Sequence, residues 1–187
     1  MSVHTPIGVL CYPTLFTPRP VAQGAEPRYG CDLLFDQAAQ KTPEFQALRK
    51  AVSQAIDAKW PGKSADKDFV SKLALPFRKT SEKPDKAGYK DIPGGVFIKP
   101  WSKGKPGVVD KFVQPVTVPG DVWAGQTARA SVNAFAYDQG GNKGVSFGLN
   151  NLQICDTSGP RLDGRKPATE DFDSLGGDMP DDDEPPF

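Results

Sequence analysis

The sequence predicts a mainly β domain with one inserted α-helix, followed by an acidic C-terminal tail. Glycine and proline number 19 each among 187 residues, and so high a share is typical of many turns between short strands. Several segments alternate apolar and polar residues, which is the period of a half-buried strand. From residue 157 onward apolar residues become scarce, as in disordered segments. The sequence therefore predicts a folded domain over residues 1–157 and a disordered tail over residues 158–187.

Strands are first predicted over residues 5–16 and 28–36, joined by a connection rich in proline and glycine. Through most of the second segment apolar side chains recur at every other position, so that one face is expected to be buried. Further strands are predicted over residues 73–79, 96–103, 127–138 and 143–154. The last two are expected to form a hairpin, because Gly140-Gly141 supplies a tight turn between them.

One helix is predicted over residues 42–60. Thr42 is a natural N-cap, Pro43 suits the first helical position, and Pro61-Gly62 ends the helix. The apolar residues that share one face are Phe45, Leu48, Val52, Ala55 and Ile56. This face predicts a helix that packs against the sheet and carries no chemistry of its own.

The residue patterns of known catalytic sites are missing from the sequence. The chain holds a single histidine, His4, which excludes histidine-based triads and multi-histidine metal sites. Neither a phosphate-binding GxxxxGK(S/T) loop nor a dinucleotide fingerprint occurs. We therefore expect a protein that is not an enzyme and that uses no cofactor or metal.

The cysteines and the N-terminal sequence indicate the cellular compartment of the protein. Cys11, Cys31 and Cys155 are odd in number and widely spaced, which is typical of reduced thiols in an intracellular protein. The N-terminus lacks the basic start and apolar run of a signal peptide. No apolar run approaches the ~20 residues that span a bilayer. We expect a cytoplasmic protein that has no membrane partner.

The segment from residue 96 to 105 carries alternating aromatic and basic side chains. Because successive side chains of a strand point to opposite faces, its odd positions share one face. They are Phe97, Lys99, Trp101, Lys103 and Lys105. Aromatic rings stack on bases and lysines neutralise the backbone, so this mixture is typical of sequence-tolerant binding to single-stranded nucleic acid. The alternative is a second small core that buries Phe97 and Trp101.

The predicted hairpin carries a second candidate surface. If the chain reverses at Gly140-Gly141, Phe135 faces Ser146 and Tyr137 faces Gly144. One face then collects Val132, Ala134, Ala136, Val145, Phe147 and Leu149, and the other carries Arg129, Ser131, Asn133, Phe135 and Tyr137. Two rings above a glycine-rich floor leave room for flat ligands such as bases, and Arg129 adds positive charge. The alternative is that another loop covers both rings.

The charge is divided between the body and the tail. Residues 170–187 contain eight acidic residues and no Lys or Arg, which leaves residues 1–169 with a net charge of +8. This asymmetry indicates a polyanionic ligand and an interaction tail. A C-terminal aromatic presents a ring and a carboxylate together, which suits a small basic pocket on a partner. The candidate partner-binding residues are Asp181, Asp182, Asp183, Glu184 and Phe187.

At these residues the chain resembles single-stranded DNA-binding proteins. The tip, DDDEPPF, resembles the acidic tail of the bacterial proteins, which ends in Pro-Phe, and the Phe-terminated tail of T7-type phage proteins. The body is more similar to the phage family, through the strand TPIGVLCYPTLFTP, the helix after Phe35 and the closing run GVSFGLNNLQ. The resemblance implies an OB fold, which is a five-stranded antiparallel barrel, here with one inserted helix.

The same resemblance implies a function. It implies sequence-independent binding of single-stranded DNA during phage replication or recombination, in the cytoplasm of the host cell. It also implies that the tail recruits a polymerase, helicase or primase. The sequence is compatible with a homodimer as well. The alternative of another class is a protein–protein adaptor whose basic body and acidic tail dock two different partners.

Overall fold

A computed structural model of the chain describes residues 2–166 and Phe172. In this part of the chain the strands are β1 (Val3–His4), β2 (Gly8–Arg19), β3 (Arg28–Phe35), β4 (Arg78–Lys79), β5 (Val96–Ile98), β6 (Trp101–Ser102), β7 (Gly107–Val109), β8 (Thr127–Gln139) and β9 (Asn142–Asp156). The α-helices are α1 (Pro43–Lys59) and α2 (Lys67–Ser71). Most of the tail predicted to be disordered, and its partner-binding residues from Asp181 to Phe187, lie outside the described residues.

Five strands close into a barrel, which confirms the predicted fold class. β8 pairs with β2, β2 with β3, β3 with β6, β6 with β9, and β9 again with β8. Four of these contacts are antiparallel, while β6 and β9 meet in parallel through Trp101 and Gly148. A ring with an odd number of strands cannot alternate direction all the way round, so one parallel contact is required. This one parallel contact closes an otherwise antiparallel barrel.

The strand predicted over residues 96–103 is divided into β5 and β6. Pro100 stands between them and has no N–H to contribute to a strand ladder. Its carbonyl still accepts a hydrogen bond from the Cys31 N–H at 3.3 Å. β5 pairs with β3 at Leu33 and Ile98, and β6 pairs with the same strand at Gly30 and Trp101. The side chains of both short strands therefore stay aligned along β3.

Helix α1 closes the barrel core as predicted. Thr42 caps the helix, since its hydroxyl accepts a hydrogen bond from the Phe45 N–H at 3.3 Å. The buried residues of the helix are Phe45, Leu48, Ala51, Val52 and Ile56. Phe45, Leu48, Val52 and Ile56 join the principal core with the inward residues of β2, β3, β8 and β9. The ring of Phe45 meets that of Phe35 edge to face, with centroids 5.7 Å apart.

The β8–β9 hairpin adopts the predicted register. Phe135 pairs with Ser146 and Tyr137 with Gly144. Gly140 and Gly141 form the turn at φ values of 57° and 84°, which glycine adopts at little cost. The inward-facing side chains of Val132, Val145, Phe147 and Leu149 are buried in the principal core.

A second hydrophobic cluster lies on the outer face of β2, β3 and β5. It consists of Cys11, Leu34, Tyr89 and Phe97, and Leu162 packs against it. The Leu162 N–H also donates a hydrogen bond to the Ala124 carbonyl at 2.8 Å. The packed part of the chain therefore continues to Leu162, past residue 157, where the folded domain was predicted to end. A single leucine in a Gly- and Pro-rich segment forms no periodic apolar pattern, so the sequence does not predict that it packs.

The cysteines of the described residues are free thiols. Burial, assisted by the carboxylate of Asp32, raises the pKa of Cys11 to about 12, and burial likewise raises the pKa of Cys31. Both thiols consequently stay protonated near neutral pH. Among the described residues, no helix has both the length and the apolar character needed to cross a membrane.

Candidate nucleic-acid interface

An open groove of about 670 Å³ runs between the β2–β3 connection, β6 and the β8–β9 hairpin. It contains three half-buried aromatic rings and four cationic side chains. The aromatic residues are Trp101, Phe135 and Tyr137, and the cationic residues are Arg28, Arg78, Lys99 and Lys103. We refer to this surface as the Trp101 groove. It joins the two surfaces that the sequence analysis had predicted separately, because β6 pairs with β9.

Trp101 lies at the centre of the groove and is held from three sides. Its indole N–H donates a hydrogen bond to the Ser146 hydroxyl at 3.1 Å. Its ring meets Phe135 nearly at right angles, with centroids 5.8 Å apart. Gly30 lies beside it, where an added Cβ would come within 3.3 Å of the Trp101 Cβ. The ring orientation is thus set before any ligand binds, which reduces the entropy cost of binding.

Arg28 stacks on the Trp101 ring. Its guanidinium carbon lies 4.2 Å from the ring centroid, which is a close cation–π contact. A guanidinium is planar, as a nucleic acid base is, so the ring face is already shaped to receive a flat group. Arg28 is the first residue of β3 and is half-buried, so the strand fixes its backbone beside the groove.

Tyr137 lies above a floor formed by Gly144. An added Cβ at Gly144 would stand 2.6 Å from the Tyr137 hydroxyl oxygen and 2.5 Å from the Ala74 carbonyl oxygen, so a larger residue does not fit. The Ala74 N–H donates to the Lys143 carbonyl at 2.9 Å, and this contact forms one wall. The wall does not cover the rings, since Phe135 and Tyr137 remain partly exposed. Tyr137 therefore lies over Gly144, as the predicted register requires, and both rings line the groove.

Most charged side chains in the groove are positive, and they differ in how closely a carboxylate is paired with them. Lys103 forms a 2.6 Å ion pair with Glu26, in which both side chains are well exposed. That lysine holds the pKa of the Glu26 carboxyl below its usual range. Desolvation lowers the pKa of Lys99, while Asp32, with its carboxylate 4.0 Å away, acts in the opposite direction. Exposed ion pairs contribute little stability, so a phosphate can replace Glu26 as the partner of Lys103 at small cost.

Three of the predicted binding residues lie outside the groove. Phe97 is completely buried in the second cluster, because the loop that carries Tyr89 covers this part of the strand. The prediction that Phe97 stacks on a base was therefore wrong. Lys105 lies over the Phe16 ring at 5.4 Å. Arg129 is six residues from Phe135 along β8, roughly 20 Å away, and donates to the Gln153 side chain at 2.8 Å.

Two groove residues were missed by the sequence analysis. Arg28 shares the outward face of β3 with Gly30, so extending the alternation by one residue towards the N-terminus would have identified it. Arg78 belongs to the two-residue strand β4, which pairs with β5. Its guanidinium donates to Glu82 through Nε at 2.8 Å. No periodic pattern marks so short a strand, and only its tertiary pairing brings Arg78 to the groove.

A family model and a relative from another phage match most of the chain. The family model described as Enterobacter phage Enc34, ssDNA-binding protein, matches residues 2–184. Protein p50 of Acyrthosiphon pisum secondary endosymbiont phage 1 is 26% identical over 167 residues, which are 89% of either chain.

Two solved structures share the fold. The single-stranded DNA-binding protein from bacteriophage Enc34, in complex with ssDNA, is similar with a TM-score of 0.63 and 17% identity, over 85% of this chain and 88% of that chain. The single-stranded DNA-binding protein gp2.5 of bacteriophage T7 is similar with a TM-score of 0.60 and 12% identity, over 89% of this chain and 97% of that chain.

Proposed function

This chain belongs to the Enc34 phage family of ssDNA-binding proteins, and we propose that it binds single-stranded DNA without sequence preference in the Trp101 groove. One observation carries the proposal. Three partly exposed aromatic rings and four cationic side chains line a single groove on the barrel. Stacking platforms within a positively charged channel are the combination that sequence-tolerant single-strand binding requires.

The geometry suggests how a nucleotide is held. A base enters against the Trp101 ring and takes the place of the Arg28 guanidinium, which then pairs with a phosphate of the same strand. A second base stacks on Phe135 or Tyr137 above the Gly144 floor. Lys99 and Lys103 neutralise the neighbouring phosphates. Ring faces contact a surface that every base shares, so this mode does not depend on sequence.

The proposal is tested first by competition and salt dependence. A labelled oligonucleotide is bound and then displaced by unlabelled single-stranded or duplex DNA of the same length. Single-stranded competitor is expected to displace it at a much lower concentration than duplex. Neutralisation of four phosphates gives a log–log salt slope of roughly −3. A flat salt response, or equal competition by duplex DNA, would contradict the proposed groove.

A matched pair of tryptophan variants tests the location. Trp101→Ala is expected to weaken binding by about 1–3 kcal/mol. Trp123 is the control, because an arginine, Arg161, stacks on its ring at 4.7 Å, yet Trp123 does not line the groove. Trp123→Ala should leave DNA affinity unchanged in a variant shown to be folded by circular dichroism. Equal losses in both variants would place the binding surface elsewhere.

We also propose that the tail recruits replication proteins, which places the protein in the host cytoplasm during phage DNA replication or recombination. The support is chemical, since four consecutive acidic residues and a terminal aromatic ring occur together at residues 181–187. Deleting Phe187 removes the ring and no acidic side chain. Pull-down of a phage or host polymerase, helicase or primase should then be lost, while DNA affinity is retained. Unchanged pull-down would reduce the tail to a solubilising segment.

A further inference from the structure

Tyr12 stands out on the outer surface of the barrel because its backbone is strained. Its φ is 47°, in the left-handed region that a bulky side chain rarely adopts. Pro13 follows, and the residue before a proline prefers extended backbone. The strand register shifts here, between Cys11 and Thr14, so β2 forms a bulge. The bulge turns the Tyr12 side chain outward, where 53% of it is exposed.

The fold itself gives little reason for an aromatic ring at this position. Tyr12 belongs to neither hydrophobic cluster of the described residues. Asparagine or glycine would adopt the same backbone with less strain. Strain of this kind is commonly found where a side chain is held in place for a ligand. The ring is supported from below by Tyr89, whose centroid is 6.3 Å away.

A cation lies directly beside the Tyr12 ring. The Lys83 ammonium is 5.1 Å from the ring centroid. It is fixed there by hydrogen bonds to the Asp32 carboxylate at 3.0 Å and to the Tyr89 hydroxyl at 3.1 Å. An aromatic face next to a positioned ammonium repeats, on a smaller scale, the chemistry of the Trp101 groove.

Lys99 connects this position to the Trp101 groove. Lys99, which lines the groove, also approaches Asp32, at 4.0 Å. Lys83 and Lys99 thus flank one carboxylate and leave a net positive charge between them. Trp101 pairs with Gly30, and Gly30 pairs with Thr14. Tyr12 therefore lies two strand spacings across the sheet and two residues along β2 from Trp101, roughly 12 Å away.

We propose that Tyr12 is a second base-stacking platform, at which single-stranded DNA leaving the Trp101 groove crosses Lys99 and Lys83 and stacks a further base. This inference rests on the proposed function and extends its footprint across β3 onto β2. Asp32 positions Lys83 beside the ring. A short oligonucleotide fills the groove alone, whereas a longer one reaches Tyr12.

The test measures affinity for two lengths of oligonucleotide, about 4 and about 16 nucleotides, which span the known range for an OB fold. Tyr12→Ala is expected to weaken binding of the longer DNA about five- to tenfold and to leave binding of the shorter DNA unchanged. Tyr12→Phe keeps the ring and should behave as the unsubstituted protein. Tyr12→Asn removes the ring at a backbone that asparagine tolerates, so it should repeat the alanine result in a folded chain.

Phe112 provides the matched control. It is also an exposed aromatic, at 71%, with a lysine ammonium 5.0 Å from its ring and a positive-φ neighbour, Val113. It lies beyond β7, away from the path, so Phe112→Ala should change neither affinity.

The second platform is overturned if Tyr12→Ala and Tyr12→Asn bind the longer DNA with normal affinity while Trp101→Ala binds it weakly. The proposal for the Trp101 groove would then still stand. Equal losses at both lengths would overturn the extension, because Tyr12 would then belong to the groove. Weak binding by Tyr12→Phe would overturn stacking as the cause. Failure of the unsubstituted protein to bind either length would instead overturn the proposed function.

Discussion

Replacing Phe97 by alanine is expected to destabilise the fold and to leave the DNA-binding surface in place. The residue shares its strand face with Lys99 and Trp101 in the sequence pattern, yet it has no exposed surface. Its ring meets Tyr89 edge to face, with centroids 5.1 Å apart. The Lys83 ammonium lies 5.0 Å from the same ring.

The magnitude follows from this packing. Truncating a buried phenylalanine to alanine costs about 3–5 kcal/mol, because apolar contacts are lost and a cavity remains. The edge-to-face pair with Tyr89 contributes about 0.5–1.5 kcal/mol of that amount. Phe97 of β5 pairs with Leu34 of β3, and this strand pairing keeps the backbone from moving in to fill the cavity. For a domain of this size the melting midpoint should fall by about 6–20 °C.

The assay is urea unfolding followed by circular dichroism, with ssDNA affinity measured well below the melting midpoint. Phe112→Ala serves as the control, since an exposed ring should change stability by no more than about 0.5 kcal/mol. Once folded, Phe97→Ala should bind the shorter oligonucleotide, which fills the Trp101 groove alone, within about twofold of the unsubstituted protein. A variant that unfolds like the unsubstituted protein but binds DNA more than about fivefold more weakly would refute the assignment of Phe97 to the core.

Three further predictions concern the groove and the tail. Lys99→Ala and Lys103→Ala should each reduce the magnitude of the log–log salt slope by about 0.7, and unchanged slopes in titrations at several salt concentrations would count against phosphate contacts at these lysines. Gly144→Ala should weaken DNA binding because the added Cβ has no room, whereas Gly104→Ala, whose Cβ would meet a single atom at 3.9 Å, should not. Similar DNA affinities of these two variants would show that the Gly144 floor is unimportant for binding. Removing residues 170–187 raises the net charge from 0 to +8 and should tighten DNA binding most at low salt, where screening is weak. Equal DNA affinities of the full-length and truncated chains at low salt would contradict competition between the tail and DNA.

The candidate site was predictable where it depends on local periodicity. The β8–β9 register follows from a two-glycine turn and a period of two, so the positions of Phe135 opposite Ser146 and of Tyr137 opposite Gly144 could be derived from the sequence. The same period placed Trp101 and Lys99 on one outward face. It could not show that a loop covers Phe97 on that face, because burial of an outward residue depends on a segment far away in sequence.

The sequence by itself determined the helix, its cap at Thr42, the hairpin register and the basic character of the body, because each depends on residues within a few positions of one another or on composition. Only the tertiary structure decided which aromatic residues are exposed and which cations meet them. Arg28 reaches Trp101 across paired strands, and Lys83 reaches Tyr12 across a loop and a bulge. These contacts join segments 70 or more residues apart, and they form through the closure of the barrel, which no local pattern encodes.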